Sequence, residues 1–596
     1  MNISYNGSDN LTISFPNNLP SFATFNTNKI IFSPTTNDTG EYIITIRIQN
    51  STGSSITIDS FIVDVFSTNN YTPSPDDWRK KIMYLIMVDR FNNGDNSNDQ
   101  LNVGNEYDPT HRGKIHGGDI KGIITKIPYL KELGITAIWL TPVLKNKPTY
   151  HGYSIQNFKA IDPHFGTLDE YKELVRIAHQ NSISVLMDVV VNHSADLIGN
   201  TQNNYSFNYP QGYTLKWNNN NLKHEPKYLA NLNFFHNYGN IGWGWDDPIE
   251  GVVGDFYGLD DFKTEHPEVQ KILSYIYMWW ILKTDIDGFR IDTAKHVDMS
   301  FWEYFLPYIR SEAAKINKTK FFMFGEIWSD YNDEMIGKYS GTKYNSSKYL
   351  FESLTYFTMK NTILEVFKYQ GATNKITERR SYLNYYDNTV HDKLVTFFDN
   401  HDLDRFNSRK QSSTQYIQNS QNYYDNLKLA YLFISTYPGI PCLYYGTEQG
   451  FDGYKLDIDY GDGYVREDMW DGLFEFGPSL DDNFDTTHIL FQFIKNVNEK
   501  INSEQYNFIR TGNFAELKSD ETAGIYAFSR YTTDSEAIII LNNSNTQRTN
   551  IILNTSLNYP NGKILYNIFD NNDNVIVTNN QINISINAMG YKIYSN

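Results

Sequence analysis

A chain of 596 residues is too long for one hydrophobic core and calls for three or four domains. Its 40% hydrophobic content supports ordinary globular packing, while a formal net charge of -18 leaves no basic stripe for nucleic acid and suits a neutral or cationic substrate. One cysteine, Cys442, excludes an internal disulfide, and no run of 18 apolar residues offers a membrane span.

Residues 1–70 are rich in Ser, Thr and Asn and alternate apolar with polar. Tyr42-Ile-Ile-Thr-Ile-Arg-Ile48 and Ile56 to Phe66 are strand patterns, with Ser51-Thr-Gly-Ser54 as the hairpin turn between them. The expectation is a small immunoglobulin- or cadherin-like β-sandwich acting as a spacer, since it has no Trp. It lacks a first strand, so Met1 is expected to fall inside a longer precursor. Met1-Asn-Ile-Ser-Tyr5 has no basic or apolar signal region, which leaves a cytoplasmic protein or one whose signal is gone. Asn69 to Pro75 reads as a linker.

From residue 71, apolar strand candidates start near Ile82, Ile135, Ile183, Ile286, Phe321, Tyr349, Leu394 and Pro441, with helical patterns between them. Thr167 and Glu170 form a capping box that opens a helix with Tyr171, Leu174, Val175 and Ala178 on one face. Eight alternating units predict an α/β fold, a (β/α)8 TIM barrel over 71–193 and 257–505, with its site at the C-terminal strand ends. The interval after the third strand is twice the others, so 194–256, rich in Asn, Tyr and Trp, reads as an inserted irregular lobe (domain B). Residues 506–596 carry short alternating strands, such as Ala537 to Leu541 and Asn550 to Leu553, and read as a C-terminal β-sandwich. Cys442 reads as a buried strand residue.

Four blocks end such apolar runs in carboxylates: Asp188-Val-Val-Val-Asn-His193, Gly288 to His296, Gly325-Glu-Ile-Trp328 and Phe397-Phe-Asp-Asn-His-Asp402. A buried carboxylate is costly unless paired or hydrogen-bonded, so four of them at strand ends predict one acidic site. Arg290 lies two residues before Asp292 and shares its strand face, where it can hold that carboxylate ionised. Glu326 follows an apolar strand, and apolar surroundings raise a carboxyl pKa.

In this order the blocks resemble the α-amylase family of retaining glycoside hydrolases, over residues 80–596. The resemblance implies Asp292 as nucleophile, Glu326 as acid/base and Asp402 as the third catalytic carboxylate. It further implies substrate binding by Tyr153, His193, Arg290, His401, Lys295, His296, Asp188 and Tyr257, with Asp188 orienting Arg290 or the loop. A calcium site is implied at Asn192, Asp255, Asp261 and the His296 carbonyl. The oxygen-rich stretch Asp89 to Asp99 with Gly117-Gly-Asp119 resembles a second calcium site, at Asn93, Asp95, Asn98, Asp99, the Gly117 carbonyl and Asp119. No clustered Cys/His pattern suggests zinc. The implied activity is endo-hydrolysis of α-1,4-glucan such as starch, glycogen or maltodextrin, by a monomeric extracellular or cell-surface enzyme. The alternatives are a cyclodextrin-forming transglycosylase, a maltogenic or neopullulanase-like cyclodextrin hydrolase, and an inactive glucan-binding protein. Tyr257 and the Asp89–Asp99 loop favour the transglycosylase. The presence of one β-domain past the barrel, rather than three, speaks against it.

Overall fold

The computed structural model describes residues 12–26, 29–49, 55–66, 71–342, 349–412, 415–417, 424–470 and 483–596. The chain divides into two compact units, Met1–Thr72 with Lys315–Asn317, and all the rest. In the first, Thr12–Ser14, Gly40–Gln49 and Ser55–Val65 form an antiparallel sheet, and Ala23–Asn26 pairs with Lys29–Phe32. Alternation buries Ile44, Ile46 and Ile48 as its core. The hairpin turn at Ser51–Ser54 lies outside the described residues.

The second unit contains the barrel. Its strands are β1 (Met83–Ile86), β2 (Ala137–Leu140), β3 (Ser184–Val189), β4 (Gly288–Ile291), β5 (Phe322–Gly325), β6 (Ser353–Leu354), β7 (Val395–Thr396) and β8 (Ile440–Tyr444). They pair in parallel in the order β6-β5-β4-β3-β2-β1-β8-β7, and a bridge between Thr355 and Val395 joins the two ends of that row. Every residue of these strands is buried, which explains why they read as continuous apolar runs: the barrel interior covers one face and the helices the other. The sixth strand starts at Ser353 rather than at Tyr349, and it is only two residues long. Cys442 sits in β8, where burial pushes its thiol pKa up.

The helix after the second strand spans Leu168–Gln180 and opens with the reciprocal Thr167/Glu170 capping box; Tyr171, Leu174, Val175 and Ala178 are its buried face. The longest helix among the described residues, Pro267–Thr284, starts with Pro in its first turn and ends at Asp285 in the left-handed conformation. It buries Trp280, whose indole N–H donates to the Phe158 carbonyl (2.8 Å). An unmet indole donor would weaken that burial.

The chain between β3 and the Pro267 helix forms a lobe of short strands and 3-10 turns. It leaves the barrel through His193–Ser194 and returns through Asp260–Asp261, and these two segments pair antiparallel. After the barrel, a six-stranded and a two-stranded antiparallel sheet enclose a core of Ile538, Ile540, Leu553, Leu565 and Ile584. Asn543 ties this region to the barrel by donating to the Val366 carbonyl (2.6 Å).

Candidate active site

Parallel register assembles the site. Asp188 in β3 lies opposite Arg290 in β4, and Ile291 lies opposite Gly325 in β5. The first residues beyond those ends, Asp292 and Glu326, are therefore neighbours across strands about 4.8 Å apart. Their backbone N–H groups donate to the carbonyls of Val189 and Ile291, both 2.9 Å, which extends the ladder one step and aims both carboxyls at the mouth.

Arg290, 1% exposed, holds the group together. Its Nη1 donates to Asp188 Oδ1 (2.9 Å) and Asp292 Oδ1 (2.7 Å), and its Nη2 meets Glu326 Oε1 (2.7 Å). One guanidinium thus spans the two carboxyls. Thr293 spans them from the other side: its N–H donates to Glu326 Oε2 (3.1 Å) and its hydroxyl to Asp292 Oδ2 (3.2 Å). Thr293 has φ 43°, costly for a β-branched residue, and this strain is what turns both donors onto the carboxylates.

Burial raises the Asp292 carboxyl to about 7, opposed by the Arg290 charge and reinforced by Asp188. Burial also raises Glu326, against Arg290, with Asp292 and Asp402 adding to the rise. Asp188 reaches about 6 by burial, although Arg290, Trp139 and Tyr153 all donate to it. Asp402 behaves oppositely. Burial works to raise it, but His401 (Nε2 3.0 Å) and Arg466 (Nη2 3.0 Å) outweigh that and hold it far below the carboxylate range. The site therefore contains one carboxylate held ionised, Asp402, and three buried carboxyls, Asp188, Asp292 and Glu326, whose pKa values burial raises.

The tyrosine at 153 stacks on His401 (centroids 5.7 Å, 5° between planes), and its hydroxyl contacts Asp188 Oδ2 and His401 Nε2, both 3.0 Å. Burial lowers His193 to about 3, so its imidazole is neutral, and its Nε2 is buried with no partner. Both line one cleft with His151, Trp245, Tyr257, Asp292, Lys295, His296, Glu326, Trp328, His401, Asp402, Lys455, Asp462 and Arg466. His296 Nδ1 bonds the Gly251 carbonyl (2.7 Å), and Lys295 Nζ donates to Asp246 Oδ1 (2.7 Å) and the Trp328 carbonyl (2.9 Å).

Sequence reasoning missed Arg466, Asp462, Thr293 and Trp139. Arg466 clamps the His401 carbonyl, Asp402 and Asp462 from the loop after β8. The i,i+4 pairing of Asp462 with Arg466 is the one signal that loop offers.

The residues expected to bind metal fall into two oxygen clusters. In the first, Asn98 Nδ2 donates to Asp119 Oδ2 (3.0 Å) and Asn93 Nδ2 to Asp99 Oδ1 (2.8 Å), while Asn98 Oδ1 is buried without a partner. Gly117 has φ +102°, and a Cβ there would lie 2.7 Å from Asn93 Nδ2 and Asp99 Oδ1, so glycine lets the backbone close on the cluster. Burial raises Asp99 and Asp119. The carboxylate of Asp95 departs from the sequence expectation: it turns to Lys121 and Ser97, and only its backbone N–H reaches Asp119 (2.9 Å). In the second cluster, Asn192 hydrogen-bonds Asp261, and Asp255 and Asp261 repel each other. Asn240, bridged to Asp255 through the backbone, has a buried Oδ1 without a partner. His236 covers one side of Asp261 (2.6 Å). Both donor sets, carboxylate and carboxamide oxygens with an orphaned acceptor, fit a hard cation.

Residues 85–473 match the family model described as alpha amylase, catalytic domain. A beta/alpha-amylase of Paenibacillus polymyxa is 34% identical over 541 residues, covering 89% of this chain and 39% of that relative, so the chain spans well under two thirds of its length. An Anoxybacillus alpha-amylase crystal structure aligns with a TM-score of 0.68 at 31% identity, over 87% of this chain and 98% of that one. A cyclomaltodextrin glucanotransferase with a three-domain ABC distribution aligns with a TM-score of 0.69 at 27% identity, over 87% and 99%.

Proposed function

Because this chain belongs to the α-amylase family, we propose that it cleaves internal α-1,4-glucosidic bonds of starch, glycogen or maltodextrin with retention of configuration. The observation that carries this reading is the single guanidinium spanning Asp292 and Glu326 at successive strand ends. Retaining glycosidases need two carboxyls roughly 5–5.5 Å apart, one ionised and one protonated. Arg290 favours the anion on Asp292 against its burial, and burial, reinforced by the charges of Asp292 and Asp402, keeps the proton on Glu326.

Glu326 protonates the glycosidic oxygen while Asp292 attacks the anomeric carbon. The departing chain leaves a β-glycosyl ester on Asp292. Glu326, now ionised, takes a proton from water, which attacks the same carbon and releases the α-anomer. Tyr153 offers a stacking face to the sugar at the cleaved bond. Neutral His193 and its unpartnered Nε2 suit a sugar hydroxyl; Asp402 binds sugar hydroxyls, and His401 stabilises the transition state.

Both oxygen clusters are read as calcium sites: Asn192, Asp255 and Asp261 with the His296 carbonyl in one, and Asn93, Asn98, Asp99 and Asp119 with the Gly117 carbonyl in the other. The ion would join lobe to barrel at the first and brace the loop after β1 at the second. It would supply charge balance and rigidity rather than chemistry. A polymer substrate suits an extracellular or cell-surface enzyme.

A second reading has the same chemistry with sugar in place of water. It is favoured by Tyr257, 79% exposed at φ 54° on the cleft wall. The three-domain glucanotransferase among the structural relatives removes the objection from domain count. A product time course from soluble starch and from β-cyclodextrin, with Asp292→Asn as control, separates the readings. Short linear maltodextrins from starch support the hydrolase, cyclic or longer products the transglycosylase, and faster cleavage of cyclodextrin a neopullulanase-like enzyme. No product from either substrate would refute all three.

A further inference from the structure

The three most exposed large apolar side chains among the described residues are Trp243 (99%), Tyr331 (84%) and Tyr257 (79%). Tyr257 lines the cleft; the other two are close sequence neighbours of cleft residues. Trp243 precedes the cleft residue Trp245 by two positions, and Tyr331 follows the cleft residue Trp328 by three. One exposed aromatic is ordinary, but three of them, one in a cleft and two on the loops joined at its edge, mark a binding surface.

Neither side chain hangs on a slack loop. The Trp243 loop is fixed by Glu250, whose Oε1 accepts the Gly242 N–H (2.7 Å), and by Asp247, whose Oδ1 accepts the Glu250 N–H (2.8 Å). The Tyr331 loop is fixed by Asn361 Nδ2 on the Asp330 carbonyl (2.8 Å) and by Lys360 on Asp330 (3.2 Å). One ammonium joins the two loops: Lys295 Nζ reaches Asp246 on the first and the Trp328 carbonyl on the second.

The Tyr331 loop runs on from Glu326, the group that protonates the departing oxygen, and Lys295, which bonds both loops, follows two residues after Thr293, whose N–H donates to Glu326 Oε2 (3.1 Å), whereas Asp462 and Arg466 cluster with Asp402. A general acid stands beside the leaving group, so the Trp243 and Tyr331 side receives the departing chain. We propose that Trp243 and Tyr331 form an outer binding stage for the departing α-glucan, beyond the cleft itself. This rests on the glucanase reading above. Pyranose rings present C–H faces that stack on indole and phenol, and a held pair of rings would favour long chains over short ones.

The test compares kcat/KM on soluble starch with kcat/KM on maltotriose for the parent enzyme, Trp243→Ala, Tyr331→Ala and the double variant. Tyr566→Ala, an exposed tyrosine on the C-terminal sheet, is the surface control. Each single variant is expected to lower the starch-to-maltotriose ratio about 3- to 10-fold, Trp243→Phe to restore most of it, and the control to leave it unchanged. Equal losses on both substrates, or no change in the ratio, would overturn the outer stage. Absence of glucan cleavage by the parent enzyme would instead overturn the reading on which it rests.

Discussion

Replacing Arg290 by Met keeps the side-chain length and removes the charge. Arg290 is 1% exposed and contacts Asp188 at 2.9 Å, Asp292 at 2.7 Å and Glu326 at 2.7 Å, with Trp139 4.9 Å from its guanidinium. Removing one partner of a buried charge cluster costs about 3–5 kcal/mol, because the remaining charges stay buried and unpaired. The three acids can escape only by binding protons. Their folded pKa values, already raised, rise further, so the folded state holds protons that the unfolded state releases above pH ~4. The stability deficit must therefore grow as pH rises, by about 1.4 kcal/mol per pH unit for each extra proton held. Urea unfolding at pH 5, 6, 7 and 8 measures it. Tryptophan fluorescence is a suitable probe, since all ten tryptophans lie between Trp78 and Trp470. A deficit that is the same at every pH, or absent at pH 8, would refute the idea that Arg290 neutralises the acids.

Three further outcomes follow from the same structure. Asp402→Asn removes a charge that raises Glu326, so the alkaline limb of the kcat/KM profile will move to lower pH, together with a fall in kcat of at least about 100-fold; an unshifted limb would contradict the coupling. His179 is raised to about 9 because Asp285 and Asp287 outweigh its burial, and so stabilises the fold fully below pH ~6.5 and not above its folded pKa. The Tm gap between the parent and His179→Gln will accordingly be wide at pH 6 and nearly closed at pH 10. EDTA will lower Tm, and calcium at about 100 times its Kd will restore roughly 2.7 kcal/mol of stability; Asp119→Asn will blunt that response, and indifference to both treatments would refute the calcium sites.

The barrel was legible because its strands are short and mostly apolar, four of them closed by carboxylates, and because Thr167 and Glu170 announce a helix start in side chains three residues apart. The Asp292, Glu326 and Arg290 group was legible because strand register does the positioning, and register is fixed by the same apolar runs. Thr293 was not, because nothing in a sequence reveals a threonine at positive φ. Arg466 was not, because the loop after β8 has no period, and its partners Asp402 and Tyr150 are distant in sequence. The sixth strand was misplaced by four residues because two residues cannot carry a pattern. Asp95 illustrates a different limit: composition marks an oxygen-rich loop, but Lys121, on the following helix, decides where that carboxylate points.

The central claim is that Asp292 forms a covalent bond to sugar. Incubating the enzyme with an activated 5-fluoro-α-glycosyl fluoride, followed by intact-mass and peptide mapping, tests it directly. The account predicts one added glycosyl group, mapped to Asp292 and absent in Asp292→Asn. A stable adduct on another residue, or steady turnover of the reagent by Asp292→Asn at the parent's rate, would contradict it.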